Sequence, residues 1–594
     1  MSVLAKSCDD PLERGIAALR KALGEAAAEA LLQPTATRSD EAASFLFPLP
    51  IDYTGVQRHL RIGFPKNFPA MLIRLHVEPS PWLVWPHAMK SGLCLHGFRE
   101  RPVTGSPETI VRDSFSRLAR IFSLSQWGSD DEERETEFQN EITSYWAMQH
   151  GRSLQNIILL ERPKSASELF ALSDPRFAVP SGQETVWLAT AVPVIKNHLA
   201  RLIGRSVMIR SPEVPGFYVK LQTYPDIRFP DPDTLFDWLT PHLSDESSHK
   251  LIRWFDERGS LTNRWIVLEL PGDEGSSIYC LNLRSGSLQP DRGPRYGLRT
   301  SRRGAGKSGK SSPKLIQSST VDILDRSTTL SRDLNGVAHD LADSYVVVVG
   351  VGSLGGTVAA QLARSGVGRI TLIDPETLVS ENIGRHVLGA DDLGKLKASA
   401  LRDRILRDLP TVEVAAYANY AEALLYQKTD LFDKANLVIV TTADWGSEVA
   451  FWRVKSQGAT WGLLQAWSEP YTQVGHALVA PSGSFDARYL FEDNGNFFHK
   501  YTEWPDGGIV PLPACGESFI PGGSLGMTTV ASMVSQTALR ALTGGLSNTT
   551  WVTSIYRPQD VAGLGGQYLG PALSDGVQQT TLERKWPDQK ERAV

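Results

Sequence analysis

The 594-residue chain has only four cysteines, Cys8, Cys94, Cys280 and Cys515, and no two are near enough in sequence for a CxxC pair. A clustered zinc site is therefore not expected, nor is a secreted fold built on disulfides. No apolar run approaches 18 residues, the length a spanning helix needs. The amino terminus, MSVLAKSCDD, lacks the apolar core of a secretory signal. Neither sign of charge dominates: 61 basic residues face 66 acidic ones, a net of −5. That balance gives no global signature of binding to nucleic acid or an anionic membrane. Residues 140–297 show no internal repeat. What is present is ordinary globular composition, 41% hydrophobic and 21% charged. A length prior of roughly 150 residues per domain gives about three to four domains. These features predict a cytoplasmic, multidomain α/β protein.

The first 120 residues alternate between helix and strand signals. Leu12, Ile16, Leu19 and Leu23 recur at helical spacing within 10–33, and Pro34 ends the run. SFLFPLPIDY, RHLRIGFP, MLIRLHVEP and WLVWP, within 43–84, read as short strands. Ser106-Pro107-Glu108 is a cap followed by an N1 proline and opens a second helix with Val111, Phe115, Leu118 and Phe122 on its apolar face. Ser129 to Glu137 is acidic and reads as solvated. Residues 10–130 thus form an α+β domain. Residues 140–297 carry strands and helices of their own (ETVWLATAVPVI, GFYVKLQTYP, RWIVLELP) and no catalytic pattern, a separate middle α+β domain. Residues 298–320 read as a flexible linker, because RTSRRGAGKSGKSSPK combines Gly and Ser with six basic residues and no acid.

Residues 325–590 carry the clearest chemistry. The strand DSYVVVV runs into GVGSLGG, and a helix follows. Gly350, Gly352 and Gly355 form G-x-G-x-x-G in the strand–turn–helix context that lets backbone N–H groups approach phosphate oxygens at a helix N-terminus. Asp374, 24 residues after Gly350, ends the next strand, RITLID, where a carboxylate can accept ribose hydroxyls. To this point NAD and ATP fit equally. Asn382, Arg385, Lys397 and Asp444 then add an amide, two cations and a carboxylate. A triphosphate that must lose pyrophosphate calls for such cations. Asp444, at the end of NLVIVTTAD, offers the hard oxygen that Mg²⁺ prefers.

The order GVGSLGG, LIDPETLVSENIGR, DDLGKLK, TTAD resembles the ThiF and ubiquitin-activating superfamily, whose members adenylate a protein C-terminus with MgATP. The resemblance implies a Rossmann-like fold in which Gly350, Gly352 and Gly355 hold ATP and Asp374 binds its ribose. Asn382, Arg385 and Lys397 would contact the phosphates, and Asp444 would support Mg²⁺. It also implies a homodimer and an arginine reaching into the partner's site, for which Arg326 and Arg332 compete. Cys515, in PACGESFIPGGSLG, matches the place where many members hold an acyl-accepting cysteine ahead of an apolar helix; a thiol is a strong nucleophile even at a few per cent ionisation. The paired CxxC zinc motif of many relatives is absent.

Cys94 lies in WPHAMKSGLCLHG, after IGFPKNFPA. This resembles the ubiquitin-conjugating fold, in which His-Pro-Asn precedes G-x-x-C-L. Gly92, Cys94 and Leu95 match directly, whereas Trp85, Pro86 and His87 stand where the family has His, Pro and Asn. The resemblance implies that Cys94 carries a thioester and that His87 donates the hydrogen bond the family asparagine gives to the oxyanion. Cys8 and Cys280 match no motif. An activating and a conjugating module in one chain resemble the bacterial ubiquitin-transferase-like proteins of CBASS anti-phage operons. That family implies conjugation of the C-terminus of a cGAS-like nucleotidyltransferase to a lysine of a target protein. The alternatives are a small beta-grasp modifier as substrate, or sulfur-carrier activation beside an inactive N-terminal binding module.

Overall fold

The computed structural model describes residues 10–90, 92–95, 105–126, 128–149, 155–173, 184–203, 214–258, 261, 263–272, 277–284, 315–332, 340–481, 490–492, 496–511 and 518–586. The chain divides into two compact units, one of residues 1–159, 163–191 and 211–322, the other of residues 160–162, 192–210 and 323–594.

The first unit begins with helix Pro11–Leu23, capped by the Asp10 carboxylate and stopped at Gly24. The single helix predicted over 10–33 is in fact two, because Gly24 takes φ +85° and the chain restarts as Glu25–Leu31. A four-stranded antiparallel meander follows: β1 (Gln33–Pro34), β2 (Glu41–Pro48), β3 (His59–Pro65) and β4 (Arg74–Glu78). Leu60, Ile62 and Phe64 of β3 are buried with Leu19 of the first helix and with Val111 and Leu118 of helix Pro107–Ser125. That helix begins where the cap signal predicts, with Ser106 Oγ accepting the Thr109 N–H.

WLVWP is a turn and not a strand. Pro81 and Pro86 block a ladder, Leu83 sits at φ +59°, and Trp85 turns inward. A buried brace holds it there: Asp52 Oδ2 accepts Arg58 Nε at 2.6 Å and Trp85 Nε1 at 3.1 Å. Burial disfavours the Asp52 charge, but the Thr54 and Arg58 hydrogen bonds outweigh it and hold its carboxyl at about 2. Asp52→Ala would leave Arg58 as an uncompensated buried cation. A loss of about 3 kcal/mol is expected, read as an earlier transition of this unit in urea unfolding. A two-rung hairpin, β5 (Ala88–Met89) with β6 (Gly92–Leu93), follows the turn and carries Cys94.

The acidic stretch predicted to be solvated is instead partly interior. Asp130 accepts the N–H groups of Glu132 and Glu133 and starts helix Asp131–Asn140. Acids in the first turn suit the helix dipole, while Arg134, Glu137 and Phe138 face inward. Helix Ile142–Gln149 comes next. Seven strands then close a barrel: β7 (Gln155–Leu159), β8 (Ser167–Ser173), β9 (Glu184–Ala189), β10 (Gly216–Lys220), β11 (Asn263–Glu269), β12 (Ile278–Arg284) and β13 (Leu315–Ile323).

Three predicted boundaries change here. The middle segment shares its core with the N-terminal one: Phe217, Ile266 and Tyr279 cluster with Tyr145, Trp146 and Met89, and Trp82 and Cys94 pack against them. ETVWLATAVPVI is strand only to Ala189; its end opens helix Val192–Ile203, which is counted with the other unit. Of the predicted linker, 298–314 lies outside the described residues, while 315–320 belongs to β13, whose Thr320, Ser318 and Ile316 pair with Tyr279, Leu281 and Leu283.

The second unit is built on an eight-stranded sheet. β14 (Tyr345–Val349), β15 (Arg369–Ile373), β16 (Glu413–Tyr417), β17 (Leu437–Val440) and β18 (Gly462–Ser468) run parallel in the order β16-β15-β14-β17-β18. β19 (Val474–Ala480) and strands Thr550–Tyr556 and Gln579–Lys585 extend it antiparallel. The central parallel strands β14 and β17 are continuous apolar, fully buried runs, as strands covered on both faces require. One face packs on helices Ser353–Arg364, Lys397–Asp408 and Ser524–Leu542, the other on Ala421–Gln427 and Trp445–Ser456. No described helix is long and apolar enough to cross a membrane.

Candidate functional site

In the parallel sheet, register sets the carboxyl ends of four strands side by side: Val349 pairs with Ile373 and Val440, and Ile373 pairs with Tyr417. The strand order turns back around β14, and ligands of open α/β sheets bind in the crevice at such a point. A cavity of about 300 Å³ lies there. Gly350, Gly352, Asp374 and Asp444, all predicted from sequence, line it, together with Asn419, Tyr420, Thr441 and Ser447.

The glycine turn is fixed from three sides. Gly350 adopts φ +82°, and a Cβ there would press on the peptide between Thr441 and Thr442 at 2.9 Å. Thr441 Oγ1 donates to the Gly350 carbonyl at 2.6 Å. The Asp374 carboxylate accepts the Val351 N–H through Oδ2 and the Glu376 N–H through Oδ1, each at 2.8 Å. Asp374 therefore braces the turn as well as facing the cavity. Burial raises its carboxyl above the ordinary value despite these bonds. His386 holds the turn from outside. Its Nε2 meets the Val351 carbonyl at 2.7 Å, and its Nδ1 receives the Leu388 N–H at 3.0 Å. A carbonyl only accepts and an amide N–H only donates, so the ring is neutral with its proton on Nε2.

Gly355, Asn382, Arg385 and Lys397 are not among the residues that line the cavity. Gly355 packs under the turn, where a Cβ would overlap the Gly350 carbonyl. The Asn382 side chain caps its own short helix, Oδ1 accepting the Val379 N–H at 3.3 Å. Arg385 reaches the Glu381 carbonyl at 3.4 Å. Lys397 is buried, and its Nζ pairs with Glu376, a cavity residue. Arg326 opens the short helix Arg326–Thr329 and donates to the Gly366 carbonyl, and Arg332 is exposed.

Asp444 caps helix Trp445–Ser456: its Oδ2 accepts the Ser447 N–H and hydroxyl, both at 2.9 Å. Among the described residues no three His, Cys, Asp or Glu gather as a metal cage. One exposed carboxylate suits Mg²⁺, which is held by one or two carboxylates plus substrate phosphates. The donor set therefore fits MgATP: a glycine turn, buried Asp374, Lys397 beside the cavity and Asp444 at its rim. Behind Asp444 lies Glu448, only 6% exposed. Burial, and then the Asp444 charge, push its carboxyl up to about 7.

That shift has a definite sign. Between the ordinary value of 4.5 and about 7 the unfolded chain has released this proton and the folded chain has not. Stability therefore falls as pH rises through that window, by at most ~1.4 kcal/mol for each unit crossed. Glu448→Gln is expected to flatten the dependence between pH 5 and 7, measured as melting temperature against pH beside the parent chain.

The second site surrounds Cys94, which is half-buried. Its N–H donates to the His87 carbonyl at 2.7 Å. Gly92 takes φ +136° within the hairpin, and a Cβ there would press on the Leu75 carbonyl and the His76 ring at about 3 Å. His87 does not stand as an open donor. Its Nε2 lies 3.1 Å from Glu137 and its Nδ1 3.1 Å from Glu141. Glu141 first, and then Glu137, raise its pKa against the effect of burial. The ring that the sequence assigned to an oxyanion is thus spent on two carboxylates that are 50 and 54 residues distant in sequence, which no local pattern reveals. Asn419 and Tyr420, two and three residues past the end of β16, match no motif, and only their place near the end of a parallel strand signals them. Cys515 and Cys8 lie outside the described residues, and Cys280 is buried in β12.

Sheet order, glycine turn and acidic strand ends define a nucleotide-binding α/β domain, and residues 326–452 match the model of the ThiF family. The chain carries a ThiF domain and has homologues named ATP-dependent ubiquitin transferase-like protein Cap2. The Pseudomonas aeruginosa Cap2 is 26% identical over 41% of this chain and 42% of its own length. The Enterobacter hormaechei Cap2 is 30% identical over 25% of each. The probable adenylyltransferase/sulfurtransferase MoeZ of Mycobacterium tuberculosis is 29% identical over 34% of this chain and 49% of its own. The chain thus spans half or less of the length of these relatives.

Proposed function

We propose that the chain adenylates the C-terminal carboxylate of a protein with ATP and passes the acyl group to an amine through two thiols. The observation that carries the reading is the cavity at the ends of β14–β17. Gly350 and Gly352 open their backbone to phosphate, Asp374 faces the ribose position, and Lys397, with Asn382 and Arg385 nearby, supplies the polar and positive groups a leaving pyrophosphate needs. Bound at Asp444, Mg²⁺ would neutralise phosphate charge. MoeZ and the Cap2 proteins, by their names an adenylyltransferase and ubiquitin transferase-like proteins, favour this over hydride chemistry with NAD.

The acyl group then moves from the adenylate to Cys515, displacing AMP, and by thiol exchange to Cys94. An amine finally attacks the Cys94 thioester, forming an amide and releasing the thiol. The helix–meander–hairpin–helix order around Cys94 supports a ubiquitin-conjugating-like domain. Exchange between thiols is nearly thermoneutral, and loss of pyrophosphate drives the cycle. Fusion in one chain raises the effective concentration of the second thiol. A cGAS-like nucleotidyltransferase is the substrate this reading favours, with a target lysine as acceptor, in cytoplasmic anti-phage defence of the CBASS type by a homodimer. A beta-grasp modifier is the second reading.

The test is incubation with MgATP and each substrate type in turn, followed by gels without and with thiol. A thiol-labile adduct with the nucleotidyltransferase supports the first reading, and one with the beta-grasp protein supports the second. Pyrophosphate exchange with no adduct for either leaves an adenylating enzyme alone.

A further inference from the structure

The Cys94 hairpin is short and irregular, yet one residue in it is over-determined. His87 sits at φ +61°, a conformation that is costly for a non-glycine residue and persists only where surroundings enforce it. The groups that touch it come from helices Asp131–Asn140 and Ile142–Gln149 and from Glu141 between them. The His87 N–H donates to the Tyr145 hydroxyl at 2.7 Å. Glu137 and Glu141 take the two ring nitrogens. Arg120 pairs with the other oxygen of Glu137 and fixes that carboxylate in turn. Tyr145 is fully buried, with Phe138 and Trp82 at 5.4 and 5.6 Å between ring centres. The remaining backbone group of His87, its carbonyl, receives the Cys94 N–H.

Resting on the reading of Cys94 as an acyl-carrying thiol, we infer that Glu137, Glu141 and Tyr145 are positioning residues for Cys94, locking His87 so that its carbonyl sets the place of the thiol. One charge-assisted hydrogen bond, to Glu137, and one ion pair, to Glu141, meet the same imidazole and hold His87 in its strained backbone conformation. A thiol displaced by about 1 Å can lose on the order of a hundredfold in rate, so a lock on its peptide has a kinetic readout. The groups facing His87 are Glu137, Glu141, the Tyr145 hydroxyl and Cys94, with Arg120 behind Glu137. Its charge is lost as pH rises through its raised ionisation, and with the charge goes the ionic part of the lock.

The test uses the full chain carrying Glu137→Gln and Glu141→Gln together, and separately Tyr145→Phe, which keeps the ring packing. Pyrophosphate exchange serves as the control and should not change. Discharge of the Cys94 adduct to hydroxylamine is expected to be about tenfold slower in the double variant near pH 6.5. The ratio of parent to variant should fall toward one at higher pH, as the parent loses its imidazolium. Amide hydrogen exchange of the 87–94 hairpin should quicken in both variants. Equal discharge at every pH, or a ratio that does not change with pH, overturns the proposal while the parent still forms its adduct. Unchanged hydrogen exchange overturns it even without an adduct. A parent chain that forms no adduct at Cys94 overturns the acyl-carrier reading instead.

Discussion

Cys94→Ala is expected to abolish amide formation and to leave ATP–pyrophosphate exchange at its parent rate. The thiol lies in the hairpin of the first unit, whereas the nucleotide cavity is built wholly from residues 349–447 of the second. Alanine is small enough for the half-buried position, and the bond that fixes the site, from the residue-94 N–H to the His87 carbonyl, is a backbone bond that survives the change. Folding should be little altered, and only chemistry is removed. A thiol attacked through its acyl group has no substitute on the alanine side chain, so the loss is of the whole covalent step. The acyl group should then remain upstream as a thiol-labile adduct at Cys515. Mass spectrometry of a non-reduced digest locates it. Continued amide formation by the variant would remove Cys94 from the pathway.

The second large effect separates two glycines of the same turn. A Cβ at Gly355 would overlap the Gly350 carbonyl, part of the turn itself, and the Thr441 hydroxyl, which holds the turn from the end of β17. Because one partner is backbone, the overlap is relieved only by displacing the turn, so Gly355→Ala should lower pyrophosphate exchange by at least about a hundredfold, the range lost when oriented donors are misplaced. At Gly352 a Cβ meets no protein atom within 4 Å, and φ is an ordinary −71°. Gly352→Ala should therefore fold and melt like the parent, yet weaken nucleotide binding because the added methyl lies in the cavity. Calorimetric titration with a non-hydrolysable ATP analogue, beside thermal melts, distinguishes a collapsed turn from an obstructed one.

What could be read from sequence follows from how local the cause is. Ser106-Pro107 fixes a helix start because cap and first turn are adjacent in the chain. The glycine turn and Asp374 are legible because a strand–turn–helix unit is contiguous and its spacing is set by the parallel sheet. The sequence offers Lys397 as a cation but gives no sign of its ion pair with Glu376. The barrel was invisible, since β10 pairs in parallel with β11 across 42 intervening residues from Lys220 to Asn263, and nothing in either strand names its neighbour. The acidic helix was misjudged for the same reason: Glu137 reads as a solvated charge until His87 is placed against it. Tyr145 had no motif at all.

The two units exchange the chain repeatedly: it passes between them at 159/160, 162/163, 191/192, 210/211 and 322/323. Helix Val192–Ile203, early in the sequence, is counted with the second unit and touches helix Lys397–Asp408, whose first residue is the buried lysine beside the cavity. A protease or an engineer cutting once after β13 would not obtain two whole bodies. The downstream piece would lack a helix left on the upstream one. A clean cut into two bodies would need that helix carried over to the downstream piece.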